Sequence, residues 1–130
     1  KVTDSLRAAA PFIRSELEGE AILTLGGPLH EWREGLIDGT ISVGPLECMP
    51  SKIAEAQLFH VAQTDGLVSL SLPLNGDPVD SEVLDGFAWE VKEAHRRRGG
   101  GPVRTETEPS GWRWLAKPMK WTGLRALLWL

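Results

Sequence analysis

Asp38-Gly-Thr-Ile-Ser-Val-Gly-Pro-Leu-Glu-Cys-Met-Pro-Ser51 is the stretch on which the fold of this chain turns. Thr40, Ile41 and Val43 are β-branched, and Gly39, Gly44 and Pro45 bracket them, which predicts a short buried strand bounded by breakers. Cys48, the one cysteine of the chain, follows just past the strand's carboxyl end, and Pro50 or Ser51 then opens a helix. Open α/β sheets place ligands at that edge, because the chain leaves the sheet there and the next helix aims its N-terminus at the gap. Positive partial charge at a helix N-terminus favours thiolate, the form of cysteine that ligates metals or attacks electrophiles. Two readings of Cys48 stand side by side. A lone cysteine is often a small buried hydrophobe. A place in a Gly/Pro-bounded turn points instead to a functional thiol.

Working outward toward the C-terminus, Ile53, Ala54, Ala56, Leu58, Val61 and Ala62 cover more than one face of the next helix, so that helix is expected to be largely buried. Leu67-Val-Ser-Leu-Ser-Leu72 alternates in part and reads as a strand. Strand, helix and strand from Thr40 to Leu72 form the pattern of a right-handed βαβ unit with parallel strands. The fold class is therefore α/β, a partial doubly wound, Rossmann-like sheet. The loop Pro73-Leu-Asn-Gly-Asp-Pro78 leaves the second strand on the same edge as Cys48, which makes Asn75 and Asp77 candidates to bind or orient a ligand. Asn-Gly and Asp-Pro are also strong turn formers, and turn chemistry alone would account for both residues. From Asp80, placed to cap, Val83, Leu84, Phe87, Ala88 and Val91 share a helical face. Acidic residues begin this helix and Arg96 to Arg98 end it, the order a helix dipole favours, so the basic end has a structural explanation in preference to a nucleic-acid or phosphate site.

Toward the N-terminus, Thr3 to Leu17 reads helical, with Thr3 or Asp4 as the cap and Pro11 arguing for a kink or two shorter pieces. Ala21 to Leu25 fits strand or helix equally. Pro28 suits the first turn of a helix through Leu29, His30, Trp32 and Arg33 that stops at Gly35.

With 130 residues, 42% of them hydrophobic and 25% charged, the composition is that of an ordinary single-core domain. One cysteine excludes an internal disulfide framework and fits a reducing compartment, so a cytoplasmic location is expected. No stretch approaches the roughly 20 apolar residues that span a bilayer. The chain opens on Lys1 inside a helical pattern, which suggests a piece of a longer protein. The net charge of −4 divides unevenly: residues 1–95 carry −10, whereas residues 96–130 carry +6 and four of the six tryptophans. That shift sets the expected boundary between an α/β domain over residues 1–98 and a linker with a Trp/Arg-rich tail over 99–130. The tail reads as poorly ordered, and Pro118 and Gly123 break any long amphipathic helix in it.

His30, His60 and His95 have no second His or Cys at ligand spacing and read as surface or amphipathic positions. Neither Gly26-Gly27 nor Gly99-Gly-Gly101 has the Lys and Ser/Thr of a phosphate-cradling loop, so no nucleotide site is implied. No nucleic-acid partner is expected.

Four stretches carry a resemblance: Glu18-Gly-Glu-Ala-Ile-Leu-Thr-Leu-Gly-Gly27, the run from Glu34 through Gly44-Pro-Leu-Glu-Cys-Met-Pro50 to Ala56, Leu70-Ser-Leu-Pro-Leu-Asn-Gly-Asp-Pro78, and Leu84-Asp-Gly-Phe-Ala-Trp-Glu-Val91. Together they resemble the carboxyl-terminal region of acyl-CoA dehydratase activase-related proteins, which belong with the activators and components of 2-hydroxyacyl-CoA dehydratases. The likeness covers residues 18 to 95, and its most specific part is the Gly-Pro-x-x-Cys-Met-Pro block ahead of the Asn-Gly-Asp-Pro loop. It implies an anaerobic system in which an ATP-hydrolysing activator passes one electron to a dehydratase carrying four-iron four-sulfur clusters. Cys48 is the one position matching a cluster-ligating cysteine of that family. Such a cluster takes about four thiolates, so its other ligands would lie outside this chain. ATP would bind only in an activator domain that has no counterpart here. The implied partners are the rest of a parent chain and the dehydratase subunits, and the piece by itself is not expected to be catalytically active. A non-catalytic docking domain with no cluster of its own is the other reading the resemblance allows.

Overall fold

A computed structural model of the protein describes residues 2–17 and 19–100 and the backbone of 127–129. The segment opening on Asp38 forms the expected strand, β1 (Thr40–Pro45). Buried Thr40 donates its N–H to the Val68 carbonyl, 2.9 Å away, and starts the pairing with β2 (Ser69–Leu74). The two strands are parallel, with Ile41 opposite Leu70 and Val43 opposite Leu72. β2 runs two residues later than the Leu67 to Leu72 pattern suggests: Leu67 is fully buried ahead of the strand, and pairing continues through Pro73 and Leu74. Because the Val68 carbonyl faces β1, the backbone groups of Ser69, Ser71 and Pro73 face outward, and the missing Pro73 N–H costs no ladder bond. A short third strand, β3 (Leu127–Trp129), lies parallel on the other side of β1, giving the order β2-β1-β3.

Helix α3 (Met49–Thr64) joins β1 to β2, and α4 (Ser81–Arg97) follows β2. They cover opposite faces of the sheet, as two glycines five residues apart on the β1 segment show. A Cβ on Gly44 would sit 2.4 Å from the Ser51 hydroxyl of α3, and one on Gly39 would sit 2.6 Å from a Val91 methyl of α4. The fold is α/β, a partial parallel sheet built on one βαβ unit.

α4 starts as its sequence predicts, with the Asp80 carboxylate accepting from the Glu82 N–H at 2.9 Å. Its buried stripe is Phe87, Val91 and Ala94, while Val83 and Leu84 stay exposed. α3 buries only Ala54, Leu58 and Val61; Ala56 and Ala62 are exposed, so one face of this helix is covered and not several.

The N-terminal half departs further from its local signals. α1 (Val2–Ala9) ends well short of Leu17, and Thr3 and Asp4 lie inside it instead of capping it. Pro11 has no N–H to continue the ladder and disfavours helical geometry at Ala10, so residues 10–17 run as turns. α2 (Ala21–Arg33) is one helix through Gly26-Gly27-Pro28, which settles Ala21 to Leu25 as helical and puts Pro28 in the interior instead of at a start. An interior proline costs about 3 kcal/mol. Leu25, Leu29 and Trp32, buried on both sides of it, contribute roughly 2 kcal/mol each and outweigh that cost. Gly26 is where α2 crosses α1, and a Cβ there would lie 2.0 Å from the Ser5 carbonyl oxygen. Gly35, at φ 72°, stops the helix as expected.

The core joins Ala9, Leu25, Leu29, Ile37, Leu58, Val61 and Leu67. Beside it the last turn of α2 is tied to the end of α3. The Trp32 indole N–H donates to the Asp65 carbonyl at 3.1 Å, and the Arg33 guanidinium grips the Asp65 carboxylate at 2.8 Å. Arg33 holds the Asp65 carboxyl below its ordinary pKa, against the opposing effect of burial. A depressed carboxylate stabilises the fold above its unfolded pKa, and the stabilisation is lost as pH falls through the folded value. Arg33→Gln is therefore expected to cost up to about 1 kcal/mol in urea denaturation at pH 7. The difference from wild type should shrink steadily below about pH 4. An equal gap at both ends of the range would refute the linkage.

The linker and most of the Trp/Arg-rich tail, residues 101–126 and 130, lie outside the described residues. None of the described helices is long and apolar enough to cross a membrane.

Candidate functional site

The carboxyl edge of the sheet is built by the register. Pro45 pairs with Leu74, so the turn that follows β1 and the loop that follows β2 emerge side by side. From β1 the chain goes through α3 to β2 on one side, while β3 lies on the other, so the Cys48 turn sits at the point where the strand order reverses. Crevices form at such points because the connections diverge to opposite faces.

Cys48 is the N-cap residue of α3, in extended geometry (φ −74°, ψ 111°), with Pro50 in the first helical turn. Its side chain is partly exposed and not sealed in the core. The Cys48 N–H donates to the Pro45 carbonyl at 3.1 Å and the Lys52 N–H to the Cys48 carbonyl at 3.0 Å, so both backbone groups of the turn are fixed. The sulfur itself closes no side-chain cap. Ser51 nevertheless pulls the thiol below its ordinary pKa, by its hydroxyl first and its backbone N–H second, and the small desolvation and the Glu20 carboxylate push the other way. Gly44 leaves room for that hydroxyl, since a Cβ there would meet it. The Gly19-Glu20 turn borders the same place, with Pro50 3.6 Å from where a Gly19 Cβ would be. Ser51 and Glu20 are site residues the sequence reading did not single out. Ser51 was findable, three residues after a capping position; Glu20 arrives from a distant turn with no local signal.

The chemistry available is that of a partly exposed thiol biased toward thiolate at the mouth of a parallel sheet. Ser51→Ala is expected to raise the Cys48 pKa and slow alkylation by iodoacetamide at pH 7, measured as rate against pH. Identical profiles for the two proteins would remove Ser51 from the site.

Asn75 and Asp77 lie on the adjacent loop at the same edge. Their side chains are bonded to each other: Asn75 Nδ2 donates to Asp77 Oδ2 at 2.7 Å, and the Asp77 N–H donates to Asn75 Oδ1 at 3.1 Å. This is a self-contained turn, and among the described hydrogen bonds none joins either residue to Cys48. A small pocket at this edge lies between α3 and the strand ends, lined by Gly44, Pro45, Ser51, Lys52 and Pro73 among others.

Of the three histidines, His60 is exposed with its ring edge-on to Phe12, and His30 is half-buried. His95 is different: its Nδ1 lies 3.0 Å from Oδ1 of Asp38, a carboxylate that is 5% exposed and whose Oδ2 is buried without a partner among the described residues. A carboxylate can only accept, so the imidazole N–H is the donor. This pair sits at the opposite end of β1 from Cys48. The basic end of α4 is largely committed to structure as well. Arg98 stacks 3.8 Å over the Trp32 ring and donates to the Trp32 carbonyl at 2.8 Å, and Arg96 pairs with Glu93. Among the described residues no group of three or more His, Cys, Asp or Glu side chains is arranged to hold a metal ion. No family model, curated protein or solved structure matches the chain.

Proposed function

We propose that this chain is part of an acyl-CoA dehydratase activase-related protein and serves an anaerobic iron–sulfur electron-transfer system for 2-hydroxyacyl-CoA dehydration, with the dehydratase subunits as partners in the cytoplasm. Its contribution is one thiolate, Cys48, presented at the carboxyl edge of the sheet. The observation that carries the reading is the placement of that sulfur. It is partly exposed, it belongs to the residue at the N-cap position of α3 where the strand order reverses, and Ser51 favours its ionised form. Asn75 and Asp77 border the same edge and would orient a bound group from the neighbouring loop.

The residues of this chain alone do not fit a four-iron four-sulfur cluster. A cluster takes about four thiolates or substitutes, and Cys48 is the only cysteine. Its remaining ligands belong to the rest of the parent chain or to a partner, as does any ATP site. The second reading is a non-catalytic α/β docking domain with no cluster of its own, in which Cys48, the one cysteine of the chain, is a spare thiol.

Anaerobic iron–sulfur reconstitution of the full-length parent protein separates the two. If Cys48 is a ligand, Cys48→Ser lowers or shifts the visible absorption of the reconstituted protein while its far-UV circular dichroism is unchanged. Superimposable visible spectra leave the docking reading.

A further inference from the structure

We draw no further inference here: the strongest candidate, the open groove of about 800 Å³ along the outer edge of β2 between α3 and α4, lined by Phe59, Ser69, Ser71 and Glu90, carries nothing because nothing in the structure shows what covers it.

Discussion

Gly26→Ala is expected to destabilise the protein by about 3 kcal/mol, at the upper end of what overpacking costs. The methyl group would arrive 2.0 Å from the Ser5 carbonyl oxygen and 2.7 Å from its carbon. Both are backbone atoms of a neighbouring helix, so no side-chain rotation relieves the contact and α1 must move away as a body. Helix propensity works in the opposite direction, since alanine is favoured over glycine by about 1 kcal/mol in a helix interior. The clash is the larger effect. Gly86 supplies the control: it lies within α4, it is exposed, and nothing lies within 4 Å of a Cβ built there. Gly86→Ala is expected to stabilise by somewhat under 1 kcal/mol. Urea denaturation of both variants tests the pair, and equal shifts of the two midpoints in the same direction would contradict the packing of α1 on α2.

The second large effect is at His95. Removing the imidazole leaves neither oxygen of Asp38 with a partner among the described residues, in a position 5% exposed to water. Removing the partner of a buried carboxylate typically costs about 3–5 kcal/mol. His95 is itself a quarter exposed, so water can reach the gap, and His95→Ala is expected at the lower end, about 3 kcal/mol. Asp38→Asn keeps an acceptor for the imidazole and removes the buried charge, so its cost should be nearer 1 kcal/mol. The ordering is the test. A larger loss for Asp38→Asn than for His95→Ala would mean that the carboxylate, and not its unpaired state, is what the fold requires.

The parts of this fold visible in the sequence are those decided locally. β-branched residues between breakers produce β1, Asp80 caps α4 through its own second residue, and the alternation after Leu67 produces β2. Their succession then implies parallel pairing, because two strands joined by a helix return to the same edge. Cys48 was legible for the same reason: a turn that must follow a strand and precede a helix has only one place in such a sheet.

What escaped was decided by distant contacts. Gly26-Gly27-Pro28 carries every local mark of a helix boundary, yet the helix continues, because Gly26 admits the α1 backbone and the flanking leucines Leu25 and Leu29 are buried. His95 and Asp38 are 57 residues apart, and no spacing rule connects a histidine in the last turn of a helix with an aspartate ahead of a strand. α3 shows the opposite error. Ala56 and Ala62 fit an apolar pattern, but alanine is as much a helix former as a core residue, and both face water.

Arg98 has a consequence for the order of events during folding. It stacks on Trp32 and reaches the carbonyls of Trp32 and Ile37, so it ties off the last turn of α2 from 66 residues downstream. Contacts between such remote parts of a chain carry a heavy loop-closure penalty and form after nearer ones have shortened the path. The seam between α2 and β1 is thus expected to seal only once the far end of α4 has arrived. A late-forming fastening of this sort governs how long the native state lasts more than how quickly it is reached.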